Sequence, residues 1–154
     1  MRTAPAAVLF FMTLWLRIWT RLFGGLHLPE HLRRGRLGER VAKNHLQQLG
    51  LKFLTANFKS RRGEIDLIFR DGNTLVFVEV KTRSSEGWVR PAGAVNARKR
   101  RLLSMTALDY LKRLADPRVS IRFDIVEVLL SGGVVCEIRH LSNAFALSRP
   151  FRHG

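Results

Sequence analysis

Two short stretches carry the side chains best suited to chemistry. In Val76-Phe77-Val78-Glu79-Val80-Lys81 an acid and a base interrupt an apolar run. They are two residues apart, so on a β-strand they project from one face. Upstream, Gly63-Glu64-Ile65-Asp66-Leu67-Ile68 sets a further acid in a second apolar run. Between the two, Asp71-Gly72-Asn73 is a strong hairpin turn. A two-residue loop makes the numbers of facing residues sum to an odd value. Asp66 then shares the face of Glu79, directly across from it or one pair away. A three-residue loop without a bulge would break this relation.

Two carboxylates and an ammonium on an apolar hairpin are costly if buried without partners. One reading is structural, an ion pair of Lys81 with Glu79 or Asp66 on a solvated sheet face. The other is chemical. A hard cation such as Mg²⁺ (or Mn²⁺) is content with a couple of carboxylates, a main-chain carbonyl and several waters. Such a cation lowers the pKa of a bound water and neutralises charge on a scissile phosphate. Lys81 beside it would orient the attacking water or stabilise charge that develops on phosphorus oxygens.

The elements that must position these groups follow from periodicity. Leu37, Val41, Ala42, Leu46 and Leu49 recur at helical spacing and Gly50 is a natural stop. Strands are expected over Leu51–Phe58, Ile65–Arg70 and Thr74–Thr82, with Ser60-Arg61-Arg62-Gly63 as a basic turn. Residues 83–96 read as a loop. Ala97–Leu114 is helical, with Leu102, Met105, Leu108 and Leu111 or Leu114 as its apolar stripe. Strands over Ile121–Leu130 and Val134–Leu141, joined at Gly132-Gly133, complete the chain. The order αβββαββ predicts an α/β fold, a mixed β-sheet flanked by helices.

The N-terminus stands apart. Ala4–Leu16 is almost wholly apolar, shorter than the roughly 20 residues of a spanning helix. Its length matches a signal-peptide core, yet Arg17 and Arg21 interrupt it and no convincing cleavage site follows. Residues 4–23 can be read as a membrane-interface contact, as a loose or partner-bound extension, or as an untranslated upstream start, the last two together being favoured over a true anchor. Gly24-Gly25, Pro29 and Arg33-Arg34-Gly35 read as linker. The expected division is therefore an extension over 1–34, a folded domain over 35–148 and a tail over 149–154.

Charge narrows the partner. Of 154 residues, 27 are Lys or Arg and 12 are Asp or Glu, a formal net charge of +15. Such an excess predicts a polyanion, because each neutralised phosphate releases condensed counterions. Hydrophobic residues make up 46% of the chain, enough for a core, which excludes wholesale disorder. The single cysteine, Cys136, excludes an internal disulfide and a thiolate zinc site and fits a cytoplasmic protein. Beside Val134 and Val135 it reads as a small core residue. Arg61, Arg62 and Arg83 bracket the acidic hairpin, and Arg98-Lys99-Arg100-Arg101 opens the second helix. Cations there oppose the helix dipole, so they are not placed for helix stability. Phosphate contacts are expected of Arg61, Arg62, Arg83, Lys99 and Arg100, Lys99 foremost. Trp88 can be read as a base-stacking or a packing residue. No sequence-reading helix or zinc finger is present, so recognition by structure is expected.

With these motifs the chain resembles the YraN-like family of small bacterial proteins of uncharacterised function. That family is of the PD-(D/E)XK nuclease-like superfamily, with restriction endonucleases and Holliday-junction resolvases. The likeness runs from about Gly35 to Phe145. It includes Gly38-Glu39 with Ala42, Asn57, both hairpin motifs, Lys99, Arg122-Phe123-Asp124 and Asn143-Ala144-Phe145. It implies a restriction-endonuclease-like core, with Asp66 and Glu79 as metal-binding acids and Lys81 as catalytic lysine. It further implies the Val80 carbonyl as an extra metal ligand and Glu39 as the first-helix acid that completes the site. Glu39 can also be read as an exposed residue paired with Lys43 one turn on. Glu64-Ile65 stands where the superfamily's name puts a proline. The implied activity is metal-dependent hydrolysis of DNA, at branched or recombining structures; the alternative is a catalytically silent nucleic-acid-binding module. Duplex cleavage needs two cuts, which a homodimer would supply.

Overall fold

The computed structural model describes residues 29–84 and 95–147. The chain separates into two compact units, Met1–Leu32 and Arg33–Gly154, and the sheet and site described below lie in the second. The apolar segment 4–23 and Trp88 fall outside the described residues. Among those residues no helix is long and apolar enough to cross a membrane.

The elements follow the expected order: α1 (Glu30–Gln48), β1 (Lys52–Ser60), β2 (Gly63–Asp71), β3 (Thr74–Ser84), α2 (Ala97–Arg113), β4 (Ser120–Ser131) and β5 (Val134–Phe145). The strands form one sheet in the order β1-β2-β3-β4-β5. All neighbours are antiparallel except β3 and β4, which are parallel and joined through α2. Such a pair needs a crossover, and the amphipathic α2 supplies it.

Alternation along the strands sorts the core into two layers. Leu67, Phe69, Val76, Val78, Val126, Val128 and Leu130 pack with Ala42 and Leu46 of α1. Ile68, Leu75, Phe77, Phe123 and Ile125 pack with Leu103, Ala107 and Leu111 of α2. The two helices therefore cover opposite faces of the sheet.

Three local expectations are corrected. Arg33-Arg34-Gly35 is not linker: α1 already begins at Glu30, directly after Pro29. Charged residues dominate this first part, so no apolar stripe marks it. The buried residues of α2 are Leu103, Ser104, Thr106, Ala107 and Leu111, whereas Leu114 is exposed. Of the expected stripe, Leu111 is buried and Leu108 packs against the core, while Leu102 and Met105 are half-buried. Cys136 is exposed, not in the core, and its thiol donates to the Leu129 carbonyl at 3.3 Å.

Candidate active site at the fork between β2 and β3

The hairpin register decides where the acids fall. Asp71 pairs with Thr74 and Leu67 with Val78, so the loop is the two residues Gly72-Asn73 and every pair sums to an odd number. Gly72 supports it with a φ of +55°, open to glycine without strain. Direct pairing of β2 with β3 stops at Leu67 and Val78. Beyond that point β2 continues on β1 and β3 on β4. The next facing positions, at the fork, are Asp66 and Glu79.

Asp66 fills the fork with its side chain. Its Oδ2 accepts the Val80 amide at 2.7 Å, in place of the carbonyl a continued ladder would offer. Burial, and after it the charge of Glu79, raises the Asp66 carboxyl from 3.8 to about 7. The Val80 hydrogen bond and Lys99 pull it down, and Glu39 adds a smaller upward push.

Glu79 is 6% exposed and meets two cations. Lys81 Nζ donates to its Oε1 at 3.1 Å. Lys99 Nζ, from the first turn of α2, lies 3.1 Å from Oε2. That second approach satisfies the distance of an ion pair but not hydrogen-bond alignment, so Oε2 is buried without a hydrogen bond. Two lysines thus converge on one acid, while among the described residues the neighbouring acid has no cation of its own in hydrogen-bond contact.

Glu39 approaches from the other helix. A Cβ on Gly38 would lie 1.8 Å from Thr82 Oγ1, so only glycine lets α1 come this close to β3 just past the Glu79-x-Lys81 motif. Glu39, next in sequence, is half-buried, and its Oε2 accepts from Asn57 Nδ2 at 3.3 Å. Asn57 holds a φ of +53°, a conformation asparagine tolerates better than most residues. Lys43 is not its partner, since that ammonium sits 3.7 Å above the Phe53 ring. Glu64 pairs with Lys59 across β1 at 3.3 Å, away from the fork.

Two carboxylates that repel each other, with one buried oxygen lacking a hydrogen bond, suit a divalent cation that takes two acids, a carbonyl and waters. Among the described residues no three His, Cys, Asp or Glu side chains gather as a closed metal cage. Two acids and one carbonyl would leave such an ion most of its water.

The basic residues divide. Arg61 is exposed at the β1–β2 turn and Arg83 is exposed near the end of β3. Arg62 is tied to α2, with Nη1 on Met105 Sδ at 3.3 Å and Nε 3.6 Å from Asp109. Arg100 Nε donates to the Val95 carbonyl at 2.6 Å. The helix start itself is capped by Asn96, whose Oδ1 accepts the Lys99 amide at 2.9 Å. Arg98 and Arg101 are the exposed cations of this turn.

Sequence reasoning gave no role to two buried acids on β4. Asp124 accepts from Arg122 Nε and the Asn143 amide and meets His140 Nε2 at 2.8 Å, which anchors the end of β5. Glu127 is fully buried and, among the described residues, neither of its oxygens has a hydrogen-bond partner. The signal was legible: like Glu79, it is an acid inside an apolar strand, Ile125-Val126-Glu127-Val128-Leu129.

Comparison with known proteins adds a family. The family described as Uncharacterised protein family UPF0102 matches residues 38–128, which include Glu39, Asp66, Glu79, Lys81, Lys99 and Glu127. A UPF0102 protein of Porphyromonas gingivalis is 41% identical over 121 residues, covering 78% of this chain and 89% of the relative. One from Geobacter sulfurreducens is 40% identical over 111 residues, covering 72% and 87%. One from Rhodococcus opacus is 36% identical over 118 residues, covering 77% and 100%.

Proposed function

The chain belongs to the uncharacterised protein family UPF0102, and from that premise we propose that it is a divalent-metal-dependent nuclease that hydrolyses phosphodiesters of DNA at branched or recombining structures. One observation carries this reading: Asp66 and Glu79 come together where β2 and β3 part, with Lys81 on the same face. The PD-(D/E)XK pattern of the sequence is in keeping with it.

In this reading Asp66, Glu79 and the Val80 carbonyl would hold Mg²⁺ or Mn²⁺, with Glu39 in reach of an outer water. The bound ion supplies an activated water and offsets charge on the scissile phosphate. Asp66 must shed its proton to bind, and the Val80 amide keeps its carboxylate aimed into the fork. Lys81, released from Glu79, donates to the attacking water or to a phosphate oxygen. Lys99 brings a second positive charge to the same phosphate. Arg61, Arg83, Arg98 and Arg101 meet the flanking backbone, and selectivity comes from the shape of the nucleic acid.

A second reading has its own support. Both oxygens of Glu79 already lie 3.1 Å from a lysine ammonium, which neutralises the acid without any metal. That arrangement suits a nucleic-acid-binding module without catalysis. Titration of the protein with Mg²⁺ or Mn²⁺ separates the two. Saturable binding that disappears in Asp66→Ala and in Glu79→Ala supports the nuclease. Absence of binding, with DNA present, overturns the nuclease and leaves the module.

A further inference from the structure

Lys81, Glu127 and Arg139 form a row across three strands. Lys81 is the register partner of Glu127 on the parallel β3–β4 ladder, and Glu127 that of Arg139 on the antiparallel β4–β5 ladder. Register partners project to the same side of a sheet, so an acid stands between two cations. Each cation is nevertheless held by the acid two residues earlier on its own strand, Lys81 by Glu79 and Arg139 by Glu137. Glu127 has no solvent exposure and, among the described residues, neither oxygen has a hydrogen-bond partner. An ionised carboxylate so placed carries a large desolvation penalty that no hydrogen bond offsets. A buried acid of this kind beside a lysine is a receptor that lacks its cation.

We infer that Glu127 is a positioning residue for Lys81: when Asp66 and Glu79 take up a divalent cation, the Lys81 ammonium leaves Glu79 and is held by the Glu127 carboxylate. The inference rests on the metal-dependent reading above. A divalent cation bound at Glu79 would repel the Lys81 ammonium, 3.1 Å from its Oε1, and draw charge away from the carboxylate that holds it. The displaced ammonium needs a counter-charge, and adjacent strands lie only about 4.8 Å apart, well within the reach of a lysine stem. Arg139 is the lesser candidate, because Glu137 is 42% exposed at the far side of the row and is untouched by events at the fork. The transfer satisfies Glu127 and fixes Lys81 in one orientation beside the reacting phosphate. Without Glu127, the displaced Lys81 swings free.

The test follows the Lys81 ammonium by ¹H–¹⁵N NMR of the full chain, its signal assigned with Lys81→Arg, during titration with Ca²⁺ or Mg²⁺ in the absence of DNA. Wild type should show a protected ammonium signal that shifts on metal binding and persists at saturation. In Glu127→Gln the metal-free signal should be unchanged, because Glu79 holds Lys81 there, and it should be lost to rapid exchange at saturation. If Glu127→Gln fails to fold, the Glu127 carboxyl ¹³C signal serves in its place. It should shift with metal in wild type and stay fixed in Lys81→Met. Saturable metal binding with a Lys81 signal indifferent to Glu127→Gln, or a Glu127 carboxyl shift indifferent to Lys81→Met, overturns this role alone. No saturable metal binding without DNA overturns this role, and absence of binding with DNA present as well overturns the nuclease reading too.

Discussion

Asp66 Oδ2 accepts the Val80 amide at 2.7 Å, so a side chain takes over the ladder where the β2–β3 backbone pairing ends. That bond and the apolar strands around it fix the carboxyl next to Glu79, where burial and like charge raise it to about 7. The sign of the linkage is definite. An unfolded chain ionises this group near its ordinary value of 3.8, and the folded protein holds the proton to about 7. Stability therefore falls as pH rises through that window and is level above it. Asp66→Asn, which does not titrate, should melt higher than wild type at pH 8 in chelator, by a stability difference on the order of a few kcal/mol at most. The gap should close as pH is lowered through the window towards 3.8. Added Mg²⁺ should stabilise wild type and not the variant. Coincident melting curves at pH 8 would show that Asp66 is not strained in the metal-free protein.

Lys81 is one cation among many but shares the face of Glu79. Lys81→Met should lower cleavage by about 10²- to 10⁴-fold, the usual span for a positioned proton-transfer or charge-stabilising group. DNA affinity and far-UV dichroism should barely change. Lys99→Met should lower cleavage as well, more than it weakens DNA binding, because that ammonium is spent on Glu79. Wild-type turnover by Lys81→Met, in preparations free of contaminating nuclease, would remove Lys81 from the chemistry.

Gly38 tests how the helix side of the site is seated. Alanine favours helix by about 1 kcal/mol over glycine. Here the added Cβ would meet Thr82 Oγ1 at 1.8 Å and Thr82 Cβ at 3.0 Å, so the clash outweighs propensity. Gly38→Ala should destabilise by about 1–3 kcal/mol in denaturant titration. Gly38→Ala combined with Thr82→Gly should recover most of the loss. If Thr82→Gly gives no recovery, the close approach of α1 to β3 is not what glycine serves.

Much of this was legible in the sequence, because the relevant rules are local. Strand alternation and a two-residue turn were enough to put Asp66 on the face of Glu79, across from it or one pair away, and the apolar runs gave the order of elements. What escaped depends on tertiary approach. That Lys99, expected as a phosphate contact, also reaches Glu79 shows only once α2 is laid across the sheet. Arg62 and Arg100 read as free cations until Met105, Asp109 and the Val95 carbonyl are brought to them. Glu127 escaped for a different reason: its apolar strand was visible, but its partner Lys81 is 46 positions earlier, a pairing that only the parallel β3–β4 ladder creates.

The division among the cations yields a prediction about salt. A chain of net charge +15 that meets phosphates through exposed side chains should bind DNA less tightly as salt rises, with little regard to base sequence. If roughly five phosphates are neutralised on a duplex, log K against log salt should have a slope of about −4 to −5. Arg98 and Arg101 are exposed on α2, whereas Lys99 and Arg100 are engaged by Glu79 and the Val95 carbonyl. Replacing Arg98 and Arg101 together with Ala should therefore make the slope shallower by up to about 2. Replacing Lys99 and Arg100 should change it less. The affinity lost should be similar on unrelated sequences of one structure, since backbone contacts carry no base information. An unchanged slope in Arg98→Ala/Arg101→Ala would show that this turn of α2 faces water, and a larger change from Lys99 and Arg100 would show that DNA draws both away from the partners they hold in the free protein.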